Sequence, residues 1–193
     1  MATTANLTPN EVAALAGAPR TVVEKALEQK VLATLAKARG QRRLLPLHAV
    51  AVVATVKSLG RRLTVGDKRL VARVLTPMSP ADLKVAQVEV APSVVVHVGA
   101  LSRAAIERAE RYTAARDAFI ENVDDVMGGR PVIRGTRLTV SAVHGRLASG
   151  DGVDDLMEDY PDIPREAFEA AFLYGETHPQ IGRPATNRPE REA

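Results

Sequence analysis

A chain of 193 residues that owns three Phe, three Tyr and no Trp has to fill its core with small side chains. Ala, Val and Leu must then carry the packing, which favours small helical units in close contact. The hydrophobic fraction of 46% is enough for real cores, and the length admits one ordinary domain or two small ones. There is no Cys, so disulfides and thiolate chemistry are excluded, and the composition fits a reducing compartment. No uninterrupted apolar run reaches the roughly 18 residues of a membrane span. The opening MATTANLTPNEVAALAG has no basic region ahead of an apolar one, so a cytoplasmic protein is expected.

Charge divides the chain. Residues 1–75 hold 13 Lys/Arg against 4 Asp/Glu, a balance of +9, whereas residues 76–193 hold 13 against 19, a balance of −6. A basic half joined to an acidic half implies two jobs, one of them facing polyanions; the bland alternative is chance placement of solvated charge.

LTPNEVAALAG opens the basic half with a capping box, Thr8 and Glu11 around Pro9, and closes it with Gly17 just past the helix. A second helix follows in APRTVVEKALEQKVL, with Val22, Val23, Ala26 and Leu27 spaced for burial. Two helices on a tight glycine turn make a helix-turn-helix unit. Arg20, Thr21, Glu24 and Lys25 are the early polar positions of the second helix, the ones that reach base edges when such a helix enters a major groove. LATLAKARGQRRLLPL then places two apolar stretches around a basic turn at Gly40. This reads as a β wing that offers Lys37, Arg39, Arg42 and Arg43 to phosphates. Two more helices, broken at Gly60, complete the segment.

That order, helix, turn, helix, basic wing, helix, helix, resembles the winged helix-turn-helix DNA-binding domain of the MerR and excisionase class over residues 6–75. On the residues alone, a plain helical bundle with a solvated basic face is the other reading. The chain departs from a typical MerR regulator in having no cysteine metal sensor and no long C-terminal coiled coil, so any dimer must be built elsewhere.

Residues 76–118 are expected to bridge two units. LKVAQVEV, counted from Leu83, and SVVVHV predict paired strands around Ala91-Pro92, and a connector helix of about four turns is expected to start at a Ser102 cap. In GGRPVIRGTRLTV the apolar residues Val132, Ile133, Leu138 and Val140 flank a turn at Gly135, which predicts a β-hairpin. Three short helices should follow, the second capped by Asp151 and broken at Tyr160-Pro161, the third started by Pro164.

Here the pattern becomes specific. Gly129, Pro131, Ile133, Gly135, Thr136, Arg137, Gly150, Asp155, Tyr160, Pro161 and Ala171 closely resemble the signature of domain-of-unknown-function family 433 over residues 119–178. The resemblance implies a divergent helix-turn-helix of the kind found in VapB-type antitoxins, which are encoded beside PIN-like ribonuclease toxins. Residues 117–178 carry 13 Asp/Glu and 5 Lys/Arg, so their net charge opposes an approach to phosphate. Contacts with a toxin or with a second copy are expected there instead. Arg130, Arg134 and Arg137 are candidates for partner or DNA contact, with internal pairing to Asp124, Asp125 or the helix acids as the alternative.

Catalytic chemistry finds little support. A Walker loop would need a lysine, and GGRPVIRGTRLTV has none; the dinucleotide pattern is also absent. His48, His97, His144 and His178 have no metal-ligand spacing, so no metal and no cofactor are expected. Asp154, Asp155, Glu158 and Asp159 fall on one short helix rather than on the several strand ends a PIN nuclease would need. The tail, residues 179–193, has proline, charge and no periodicity, and is expected to be disordered in isolation.

The expectation is therefore a mainly α protein with short β elements, not an enzyme: an N-terminal winged helix-turn-helix and a C-terminal unit of β-hairpin and three helices. Its implied role is a type II antitoxin that neutralises a PIN-like ribonuclease, binds operator DNA as a homodimer and represses its own operon. A stand-alone transcriptional regulator without a toxin is the alternative, and a protein-interaction adaptor is the third class.

Overall fold

The computed structural model describes residues 6–33, 35–39, 42–122 and 128–179. Helix α1 (Pro9–Leu15) starts as its sequence dictates. The Thr8 hydroxyl accepts from the Glu11 amide, the Glu11 carboxylate accepts from the Thr8 amide, and Gly17 turns the chain at φ +60°. Helix α2 (Arg20–Glu28) follows and buries Val23 and Ala26. Strands β1 (Lys37–Arg39) and β2 (Arg42–Leu44) pair antiparallel, and the expected Gly40 turn lies outside the described residues. Leu7 and Leu45 exchange both backbone hydrogen bonds at 2.8 Å, so the base of the hairpin is tied to the start of α1.

Helix α3 (His48–Leu59) runs through the middle, with every residue from Ala49 to Thr55 buried. A helix apolar on all sides must be surrounded, and α1, α2, α4 (Val65–Leu75) and α6 (Val98–Phe119) surround it. Gly60 ends it at φ +56°, as expected.

Two expectations for the next segment fail. Leu83 and Val85 are not in a strand: Ser79 and Asp82 form a capping box with Pro80 in the first turn, so Pro80–Leu83 is a short helix, α5. Pairing begins only at β3 (Val88–Ala91), which meets β4 (Val94–Val96) across the Ala91-Pro92 turn. Nor does Ser102 cap the long helix. α6 is 22 residues long, about six turns rather than four, and Ser102 is buried inside it with its hydroxyl on the Val98 carbonyl, 2.7 Å away. The earlier start depends on Gly99, whose absent Cβ would lie 2.4 Å from the Lys84 carbonyl oxygen. Only glycine lets the two backbones touch there.

Strand β5 (Ile120–Asn122) leaves α6 and pairs with β6 (Pro131–Ile133). This corrects the predicted hairpin. Leu138 gives one carbonyl to the Ile133 amide and Val132 makes a single bridge to Thr139, but no strand forms there. Thr139 caps the Ala142 amide instead, so Val140 begins helix α7 (Val140–Ala148). Asp151 is not a cap either: Arg146 holds its carboxylate at 2.6 Å, and Asp155 accepts the Gly152 amide at the start of α8 (Val153–Asp159). After Tyr160, Pro164 precedes α9 (Arg165–Thr177). Phe168, fully buried, sits at the centre of a small core with Val143, Leu156 and Ala171. The predicted tail lies, but for Pro179, outside the described residues.

The larger core runs from Leu7 to Tyr112 and takes in Ala170 of α9, so α6 is a shared wall rather than a connector. At its far end Glu11, 1% exposed, accepts from the Tyr112 hydroxyl at 2.7 Å and from Arg116 Nη1 at 3.0 Å. Burial pushes the Tyr112 hydroxyl far above its ordinary pKa, and the Glu11 charge pushes the same way, so the phenol stays a donor. Burial works against the charge on Arg116, but the Glu11 and Asp117 carboxylates outweigh it and hold its pKa above the usual value. Asn10 reaches across to the Thr177 carbonyl at 3.0 Å, which adds α9 to the same junction.

Glu11→Ala would take the acceptor from the buried Tyr112 hydroxyl and leave Arg116 with Asp117 as its remaining carboxylate, at a cost of about 3 kcal/mol in urea unfolding. Tyr112→Phe should cost about 1 kcal/mol, and the double variant should fall short of the sum by at least about 0.5 kcal/mol. Additive losses would contradict a shared network.

Candidate nucleic-acid interface

The turn at Gly17 sets α2 across α1 and leaves Arg20, Thr21 and Lys25 exposed, with Glu24 half-exposed. Arg20 Nε lies 2.7 Å from Glu24 Oε1, so one of the four candidate residues neutralises another. Thr21 and Lys25, four apart, share a face next to that pair.

In the wing, Arg39 stands opposite Arg42, and Ala38 opposite the exposed Arg43; Lys37 stands opposite Leu44. The sequence reading missed cations that the fold brings up to α2. Lys57 from α3, Arg61 from the turn after it and Lys68 from α4 converge with Lys25 around a cleft of about 270 Å³ walled by Val22, Ala26, Val31 and Val56. Arg69 gives two hydrogen bonds, 2.9 and 2.7 Å, to the Gln29 carbonyl and so braces the end of α2 against α4. Asp67, the acid of α4, is used locally: the Thr64 hydroxyl and amide donate to it and lower its pKa. The basic residues from Lys57 to Arg73 were visible in the chain; which of them would face α2 depended on how α3 and α4 pack.

The arginines of the C-terminal unit lie in a different setting. Gly135 turns the chain at φ +73°, and its amide donates to Glu121 Oε1 at 3.1 Å. Arg134 approaches the same carboxylate at 3.4 Å and donates to the Asp117 carbonyl. An amide and a guanidinium that could have received a phosphate are therefore already matched by the protein's own acid. Arg130 and Arg137 are exposed and make no ion pair among the described residues, while Asp124 and Asp125 lie outside them. Three of the four acids of α8 are also engaged, Glu158 being the exception among the described residues. Asp155 caps the helix, Asp159 joins Asp151 on Arg146, and Asp154 pairs with Arg165. The two carboxylates on Arg146 hold its pKa above the ordinary value.

His144 and His178 line a cleft of about 940 Å³ where α1, α7 and α9 meet. His144 stacks on Phe172 at 5.3 Å and His178 on Tyr174 at 4.0 Å. His48 instead bonds the Met78 carbonyl, and His97 precedes α6. Among the described residues no three His, Asp or Glu side chains gather as a metal site, and no helix is long and apolar enough to cross a membrane.

Residues 120–175, from the first residue of β5 to near the end of α9, match the family model described as protein of unknown function DUF433. Uncharacterized protein y4eO of Sinorhizobium fredii (strain NBRC 101917 / NGR234) is 37% identical over 81 residues, which cover 42% of this chain and 36% of that protein. The match thus spans little more than a third of the relative's length. No solved structure matches the chain.

Proposed function

We propose that the protein is a DNA-binding antitoxin. Residues 6–75 act as a winged helix-turn-helix that holds operator DNA, and the acidic unit at residues 119–178 holds a PIN-like ribonuclease toxin. The observation that carries the DNA reading is the uncompensated basic face. Lys25, Lys57, Arg61 and Lys68 make no ion pair among the described residues, and they flank a helix that exposes Thr21. In this reading Thr21 and Lys25 face base edges, Arg20 does so once Glu24 releases it, and Lys37, Arg39, Arg42 and Arg43 hold the backbone. A homodimer sets two such faces on paired half-sites, and the two linked contacts multiply a modest affinity. The toxin reading rests on the resemblance of the C-terminal unit and on its acidic balance, which suits a basic partner better than DNA.

Replacing Arg42 and Arg43 together with alanine should weaken binding about equally on all duplex sequences and lower the slope of log K against log salt by about 2. An unchanged slope would remove the wing from the interface. For the toxin, the tagged chain should be purified gently from its native host and its companions identified by mass spectrometry. A stoichiometric small PIN-like protein is the expected result. Recovery of the chain alone, from cells that express the neighbouring genes, would leave a stand-alone regulator.

A further inference from the structure

A groove of about 740 Å³ runs between α6 and α9. Its floor is apolar and low: Ala115 and Ala118 from α6, Ala170 and Leu173 from α9. Its two rims carry opposite charge. Arg108 and Arg111 stand on the α6 side, Glu166 and Glu169 on the α9 side. Across the groove they do not meet, since no ion pair joins the two rims among the described residues and Arg111, Glu166 and Glu169 make none elsewhere. Arg108 spends its Nε on the Leu15 carbonyl at 3.1 Å.

We infer that this groove is the surface through which two copies of the chain associate. A two-fold axis lying along the groove, in the plane of the contact, exchanges its rims. The α6 of one copy then lies over the α9 of its partner, and each arginine rim meets the glutamate rim of the other copy, twice over. A positive rim and a negative rim on one patch are what an isologous contact needs, because the same patch must complement itself. The small floor residues allow helices to approach closely. Beyond the two arginines α6 also exposes Ala104 and Leu101. The interface rests on the dimer of the proposed function and locates it, and its test contains no DNA, so a failed interface and failed DNA binding are told apart.

The test is sedimentation equilibrium of the full chain and three variants, each checked for its helical circular dichroism. The wild type should be a dimer at micromolar concentration. Glu169→Arg sets an arginine against the positive rim of the other copy and Arg111→Glu sets a glutamate against its negative rim, each cancelling one rim's net charge, so each alone should self-associate at least about tenfold more weakly. Mixed in equal amounts, the two should pair with each other about as tightly as the wild type does with itself, because the new arginine can then meet the new glutamate. Ala118→Trp, which fills the floor without touching charge, should also give a monomer. A monomeric wild type would overturn the inference. So would dimers that survive all three substitutions, or folded charge variants that stay monomeric when mixed.

Discussion

One buried carboxylate holds the molecule's layout. Glu11 closes the first turn of α1 by accepting the Thr8 amide, and the same group receives a phenol and a guanidinium from α6. A charge this deep is costly unless nearly all its hydrogen-bonding capacity is used, and removing any partner exposes that cost. The arrangement admits few alternatives: α1 must lie on α6 at one height and in one rotation. Once α6 is placed, α3 is enclosed on its remaining side, and the chain leaves α6 directly into β5. The C-terminal unit therefore begins on a helix that the N-terminal half has already fixed.

The partition of charge becomes sharper in three dimensions than in the sequence. Acids of the C-terminal unit are mostly consumed by its own structure: Asp155 as a cap, Asp151 and Asp159 on Arg146, Glu121 on the Gly135 turn. The glycine-rich stretch that most invites a reading as an anion cradle is in fact closed by a resident carboxylate. In the basic half the pattern is opposite. Asp67 caps, Glu24 pairs within its own helix and Glu11 is taken up by α6, so cations from α2, α3 and α4 have no ion pair among the described residues around one cleft. Net charge alone, +3 over the chain, conceals both facts.

Features written in short-range chemistry were legible in the sequence. Thr8 with Glu11, the positive-φ turns at Gly17, Gly60 and Gly135, the antiparallel pairing of Lys37–Arg39 with Arg42–Leu44 and the stop at Tyr160 all appear where the residues call for them. What the sequence hid depends on distant partners. Glu11 looks like a cap and nothing more, since Tyr112 and Arg116 lie 101 and 105 positions away. Gly99 permits an early start to α6 only because Lys84 folds back against it. Val132 and Ile133 were visibly a strand, but its partner was taken to be Leu138 to Val140; Thr139 spends its hydroxyl on a helix start, and Ile120 to Asn122 take the place instead. For the candidate interface, α2 and the wing could be read from order and charge, whereas Lys57, Arg61 and Lys68 needed the packing of α3 and α4.

If the proposed basic face holds DNA, one end of this molecule meets a duplex and the other does not. Hydrogen exchange of the intact chain, with and without a duplex, reads both ends in one experiment. The account predicts slowed exchange in α2, the β1–β2 wing and the start of α4, with α8 and α9 unchanged and the effect fading as salt is raised. Protection centred on the Arg130 to Arg137 turn, or none at any salt concentration, would contradict it.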